Sequence, residues 1–154
     1  MEKVVRKLIE LNKTISTMES CTGGSVVDAI TNVEGSSEIL KFSAVTYSNE
    51  FKIKMGVSSE VIDKYSVYSM ETAMEMSKNI SLFTNSDYGV GITGKLNRID
   101  KTNLYGEDNI IYVSIYIKEN NSYENFELKA IGSNRIENKK LIVKEIENKL
   151  LSII

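Results

Sequence analysis

The feature that most constrains the fold of this 154-residue chain is a change of period along it. Through the first part, short β-type runs alternate with stretches whose apolar residues recur at helical spacing. Val4, Val5, Leu8 and Ile9 predict a short amphipathic helix, and "TISTM" then reads as a strand ending at Glu19. Thr22 to Asn32, carrying Val26, Val27, Ala29 and Ile30, predicts a second helix. "VEGSSE" reads as a turn and "ILKFSAVTYSN" as a β-type run up to Asn49. Two short helical pieces follow, near Glu50–Met55 and Ser59–Tyr65.

Ser69 has the chemistry of an N-cap, and Met70, Ala73, Met74, Ser77 and Ile80 share one helical face, so a helix is expected to about Phe83. "DYGVGITG" reads as a buried strand. The pattern then switches. "NIIYVSIYI" alternates, with Ile111, Val113, Ile115 and Ile117 on one face and Tyr112, Ser114 and Tyr116 on the other. "ENNS" turns it back into "YENFELKAI" as an antiparallel hairpin. Ile136, Val143, Ile146, Leu150 and Ile153 then mark a long final helix. The order α-β-α-β-α-β-β-β-α predicts a three-layer α/β/α sandwich with a mixed sheet, as one domain spanning 1–154.

Composition narrows the chemistry. The formal net charge is −2, which argues against nucleic acid or an anionic membrane as a bulk partner. The N-terminal "MEKVVRKLIE" carries charges through its apolar positions, unlike a signal peptide, and a single cysteine fits a reducing compartment. A cytoplasmic protein is therefore expected. The absence of histidine excludes Ser-His-Asp triads, Cys-His pairs and His-ligated zinc. Acid–base work must fall to Lys, Tyr, Asp, Glu or a terminus.

Hydroxyl residues and glycines gather where β-type runs end: "ESCTGG", "TYSNE" and "GITG". In open α/β sheets the crevice at strand carboxyl ends is where ligands bind. Gly23 and Gly24 open a helix whose first amides would attract an anion. Ser20 and Ser37 also have the plainer reading of helix caps, and Cys21 that of a small buried filler.

"MESCTGG", "EGSSEIL", "VTYSNEFKIKMGV", "GITG" and "GSNR", in this order and spacing, resemble the CinA C-terminal domain family and its stand-alone nicotinamide-nucleotide amidohydrolases. The resemblance runs from about Val4 into the last helix. It implies deamidation of nicotinamide mononucleotide to the nicotinate nucleotide plus ammonia, with no metal and no cofactor. Matched position by position, it implies Ser20, Ser37, Tyr47, Lys52, Thr93 and Arg135 as site residues. Amide hydrolysis needs a nucleophile, a base, an oxyanion site and a proton donor for the amine. Without histidine, a Ser-Lys pairing remains.

The expected catalytic set is Ser37 as nucleophile, Lys52 as base and Tyr47 as partner of the lysine, with attack by Ser20 or by water left open. Ser20, Thr22, Gly23, Gly24, Thr93, Gly94 and Arg135 are expected to hold substrate, the phosphate lying on Arg135 and the amides after Gly23. A small-molecule nucleotide and a second copy of the chain are the expected partners. The pyrophosphatase-like domain that some family members carry is not expected.

The chain departs from the family at Lys95–Asn109, where "KLNRIDKTNLYGEDN" replaces a Gly- and Pro-rich loop. Lys95, Arg98 and Lys101 make this stretch basic. Two alternatives follow: action on another amide, or binding of a pyridine nucleotide without turnover. A third class, a structural partner dimerising through its C-terminal stripe, is the less favoured reading, since such stripes are more often core.

Overall fold

The computed structural model describes residues 1–97 and 106–154. Its elements are α1 (Glu2–Glu10), β1 (Ile15–Glu19), α2 (Ser25–Thr31), α3 (Ser36–Ile39), β2 (Leu40–Val45), α4 (Asn49–Lys54), α5 (Ser59–Tyr65), α6 (Met70–Thr84), β3 (Tyr88–Gly94), β4 (Ile110–Ile117), β5 (Ser122–Lys129) and α7 (Arg135–Ile153). The five strands form one sheet in the order β2-β1-β3-β4-β5. β1 runs parallel to both β2 and β3, whereas β3, β4 and β5 pair antiparallel. The mixed sheet and all five strands expected from the periodicity are present.

The alternation within β4 sorts its side chains as the sequence predicts. Ile111, Val113 and Ile115 join the main core with Val4, Val5 and Leu8 of α1, Val26 and Ile30 of α2, and Ile142, Ile146 and Leu150 of α7. On the opposite face Ser114 Oγ meets Ser77 Oγ of α6 at 2.9 Å. A second, smaller core there joins Met18, Val57, Met76 and Ile80.

"GVGITG" is glycine-bearing because α6 lies directly against β3. A Cβ on Gly89 would stand 2.0 Å from the Ser77 carbonyl oxygen, and one on Gly91 2.2 Å from that of Ala73. Those distances are far inside van der Waals contact, so only glycine permits this helix–strand approach. Ser69 caps α6 as expected, its hydroxyl accepting from the Thr72 amide at 3.2 Å. A left-handed Asn85 ends the helix one residue beyond the expected Phe83.

Several local readings differ. α2 begins at Ser25 rather than Thr22, because Cys21–Gly24 forms a turn with Gly23 and Gly24 at positive φ. "VEGSSE" contains α3, opened by a left-handed Gly35. β2 stops at Val45, leaving Thr46, Tyr47 and Ser48 to run into α4. On α6, Met76 rather than Met74 or Met70 is fully buried. On α7, Ile136 is 68% exposed and Ile142 takes the core position. The first turn of α7 lies against the segment just beyond β3, where Arg135 bonds Leu96, and its periodicity does not report the core.

The topology sets a crevice. From β1 the chain passes through α2 and α3 to β2 on one side, then through α6 to β3 on the other. α2 packs with α7 on one face of the sheet and α6 lies on the other, so connections diverge at the carboxyl end of β1. That is where open α/β sheets bind ligands.

Candidate active site

Ser20 is the first residue beyond β1, and its amide donates to the Ile92 carbonyl of β3 at 3.0 Å. Thr46, the first residue beyond β2, is tied back to β1 by its amide, which donates to the Glu19 carbonyl at 2.8 Å. Ser48 then caps α4, its hydroxyl accepting from the Phe51 amide at 3.3 Å. This short helix carries Lys52 inward. Lys52 is 1% exposed, and its Nζ donates to Ser20 Oγ at 3.1 Å and to the Thr46 carbonyl at 2.7 Å. Two strand ends and one capped helix thus hold a buried amine against a hydroxyl.

Burial lowers the Lys52 pKa from the ordinary lysine value of 10.5 to about 8, because the charged form loses hydration with no carboxylate bonded to it. A sizeable fraction is then neutral amine near neutral pH, and a neutral amine can accept the Ser20 proton. The Thr46 carbonyl takes one N–H, which orients the rest of the amine group. Cys21, next to Ser20, behaves oppositely. Burial pushes its thiol up to about 12, so it stays protonated and unreactive, the buried filler that its surroundings imply.

Glu19 was not anticipated. It is fully buried at the end of β1, and its carboxylate occupies the start of α2. It accepts from the amides of Gly24 at 3.0 Å, Val26 at 3.2 Å and Val27 at 2.9 Å, and from Thr22 Oγ1 at 2.6 Å. The amides expected to cradle a phosphate are therefore bonded to an anion of the chain itself. Thr22 is fully buried, and its hydroxyl donates to the same carboxylate. The sequence did carry the signal: a glutamate at a strand end, followed by a turn and helix start rich in unsatisfied donors.

The other expected residues divide. Ser37 is exposed in α3, and the bonds of Lys52 go to Ser20 and Thr46 instead. Tyr47 is 66% exposed, and its hydroxyl accepts from Arg135 Nη2 at 3.3 Å rather than bonding Lys52. Arg135 is the first residue of α7, and its Nη1 donates to the Leu96 carbonyl just past β3. Its position follows from a cap. Asn134 accepts from the Glu137 amide at 3.0 Å, and the Glu137 carboxylate accepts from the Ser133 amide and hydroxyl at 2.9 and 2.8 Å.

Thr93 is fully buried and donates to the Val67 carbonyl at 2.8 Å, tying the end of β3 to the segment before α6. Gly94 ends β3 opposite Ile111. Gly23 and Gly24 form the turn above Glu19. Lys95 is 5% exposed, not a solvated basic residue, and its Nζ donates to the Gly106 carbonyl at 3.0 Å and lies 3.5 Å from Asp108. Arg98 and Lys101 lie outside the described residues.

Among the described residues no three His, Cys, Asp or Glu side chains are grouped to hold a metal ion, and no helix is long and apolar enough to cross a membrane. The arrangement offers a serine hydroxyl bonded to a buried lysine of lowered pKa, and an arginine held by Leu96 and Tyr47.

Comparison with known proteins identifies the family. The family described as the CinA C-terminal domain matches residues 1–152. A CinA-like protein of Dictyoglomus turgidum is 37% identical over 137 residues, covering 88% of this chain and 33% of that protein. A CinA-like protein of Endomicrobium trichonymphae is 46% identical over 90 residues, 58% of this chain and 21% of that protein. The chain thus spans a third or less of the length of these relatives. Among solved structures, a competence-damaged protein (CinA) superfamily protein of Escherichia coli aligns with TM-score 0.89 at 21% identity, over 99% of this chain and 87% of that one. The competence/damage inducible protein CihA of Agrobacterium tumefaciens aligns with TM-score 0.86 at 24% identity, over 98% and 93%. At such identities these two structures speak to the fold.

Proposed function

Because the chain belongs to the CinA C-terminal domain family, we propose that it is an amidohydrolase that cleaves a carboxamide through a Ser20–Lys52 dyad, with nicotinamide mononucleotide as its substrate. The single observation that carries the reading is the buried Lys52 amine, of pKa about 8, bonded to Ser20 Oγ at 3.1 Å. The nucleotide is what the sequence resemblance implies.

Neutral Lys52 takes the Ser20 proton as Oγ attacks the carboxamide carbon. The resulting ammonium donates that proton to the departing nitrogen, which leaves as ammonia. Water then attacks the acyl-serine, with Lys52 again as base, and the carboxylate product leaves. Within the turn, the Gly23 amide donates to the Ser20 carbonyl, the Ser25 amide to Thr22, and those of Gly24, Val26 and Val27 to Glu19. The Cys21 and Thr22 amides remain, directly after the nucleophile, as the donors for the developing oxyanion. Arg135 stands beside Tyr47 at the mouth and holds the phosphate.

The test is ammonia release from nicotinamide mononucleotide by purified protein without added metal. Turnover that survives chelation supports the reading. No turnover with a clear melting shift by the nucleotide would favour a binding module instead. Neither turnover nor shift would reject the nucleotide altogether.

A further inference from the structure

We propose that Lys139 is a second anion-holding residue of this site, acting with Arg135 to select substrates that carry a phosphate. The choice of substrate rests on the amidohydrolase reading; the anion site itself does not.

Arg135 and Lys139 lie four residues apart on α7, and so on one face of it. Arg135 turns to Leu96 and Tyr47 at the mouth of the crevice. Lys139 turns to the Ser20 segment. A Cβ built on Gly23 would stand 3.3 Å from Lys139 Nζ, so the ammonium lies against that turn. Gly23 is itself tied to Ser20, its amide donating to the Ser20 carbonyl at 3.0 Å. The lack of a side chain at Gly23 is what lets the cation come this close.

Among the described residues no acid pairs with that cation. Further along α7, Lys144 pairs with Glu147 and Lys149 with Glu124, but half-buried Lys139 has no ion-pair or hydrogen-bond partner among the described residues. The nearby Glu19 carboxylate is fully buried and saturated by the α2 amides and Thr22. A half-buried ammonium without a counter-ion is unfavourable in the empty protein and favourable once an anion arrives. With the α2 amides already bonded, side-chain cations must supply the grip on phosphate. Lys139 also lines the groove of about 470 Å³ between α2 and α7, where with Lys140 and Lys144 it makes three lysines against the two acids Asp28 and Glu147.

The experiment compares ammonia release from nicotinamide mononucleotide and from its dephosphorylated nucleoside by wild type, Lys139→Met, Lys139→Arg and, as a charge control remote from the site, Lys3→Met. Lys139→Met should raise KM for the nucleotide at least tenfold, leave its kcat within about threefold, and leave the nucleoside KM unchanged. Lys139→Arg should recover most of the loss, and Lys3→Met should match wild type. An unchanged nucleotide KM, or an equal loss on both substrates, overturns the proposal. Titration with ribose 5-phosphate, followed by melting shift, reads the anion site without chemistry. Wild type should shift more than Lys139→Met. Equal shifts, or none in wild type, also overturn it, whereas absent ammonia release with that difference preserved rejects only the amidohydrolase reading.

Discussion

A lysine with no carboxylate bonded to it is costly to bury, and Lys52 is the most informative side chain for that reason. Its pKa of about 8 makes two predictions. The kcat/KM should rise with pH along a single ionisation near 8, falling about tenfold per unit below it. A flat profile from pH 6 to 9 would remove Lys52 as base. The second concerns stability. Below pH 8 the folded state holds a charged, buried lysine, so Lys52→Met should melt higher than wild type at pH 7. Between pH 8 and 10.5 folded Lys52 has lost its proton while the unfolded lysine keeps it, so wild type gains stability as pH rises. The gap should therefore close by about 3 kcal/mol over that window. A gap constant with pH would contradict the burial argument. The sequence made Lys52 legible as a candidate base, but with Tyr47 as its partner, where the structure bonds it to Ser20 and Thr46. Ser20 lies 32 residues away, and Ser37 was the closer serine by position. Only the parallel pairing of β1 with β2 brings Ser20 to the lysine.

At the scale of elements, helix starts decide what each segment offers a ligand. The expectation that α2 would present free amides failed because Glu19 fills them from within. Such a carboxylate stabilises the turn that positions Ser20. Removing it leaves several buried donors unpaired. Glu19→Ala should destabilise by about 3–5 kcal/mol, measured by chemical denaturation. A loss under 1 kcal/mol would show that these bonds are dispensable. Arg135 was named from the resemblance carried by "GSNR", and the cap of Ser133, Asn134 and Glu137 that places it at the start of α7 was not read. Its apolar face was misread at Ile136, since a hydrophobic period cannot tell a turn over the sheet from one beyond it.

Over the whole molecule, strand number, the switch from parallel to antiparallel pairing and the three-layer arrangement were all readable from the change of period. What the sequence could not reveal was how tightly the layers press. Gly89 and Gly91 read as part of a buried strand, yet they fix the approach of α6. Gly91→Ala should destabilise by about 1–3 kcal/mol or more by overpacking, with a lowered Tm and no specific change in pH profile. A Tm equal to wild type would show that α6 moves freely. The replaced loop remains the part of the site least legible from sequence, since Lys95 proved buried against Gly106 and Asp108 rather than available to substrate.

The central claim is the Ser20–Lys52 dyad, and the most direct test is single-turnover ammonia release from nicotinamide mononucleotide by wild type, Ser20→Ala, Lys52→Met and Ser37→Ala. Wild type and Ser37→Ala should release ammonia, with losses of about a thousandfold or more in Ser20→Ala and Lys52→Met, each variant folded by its melting curve. Full activity in Ser20→Ala, or its loss in Ser37→Ala alone, would contradict the claim.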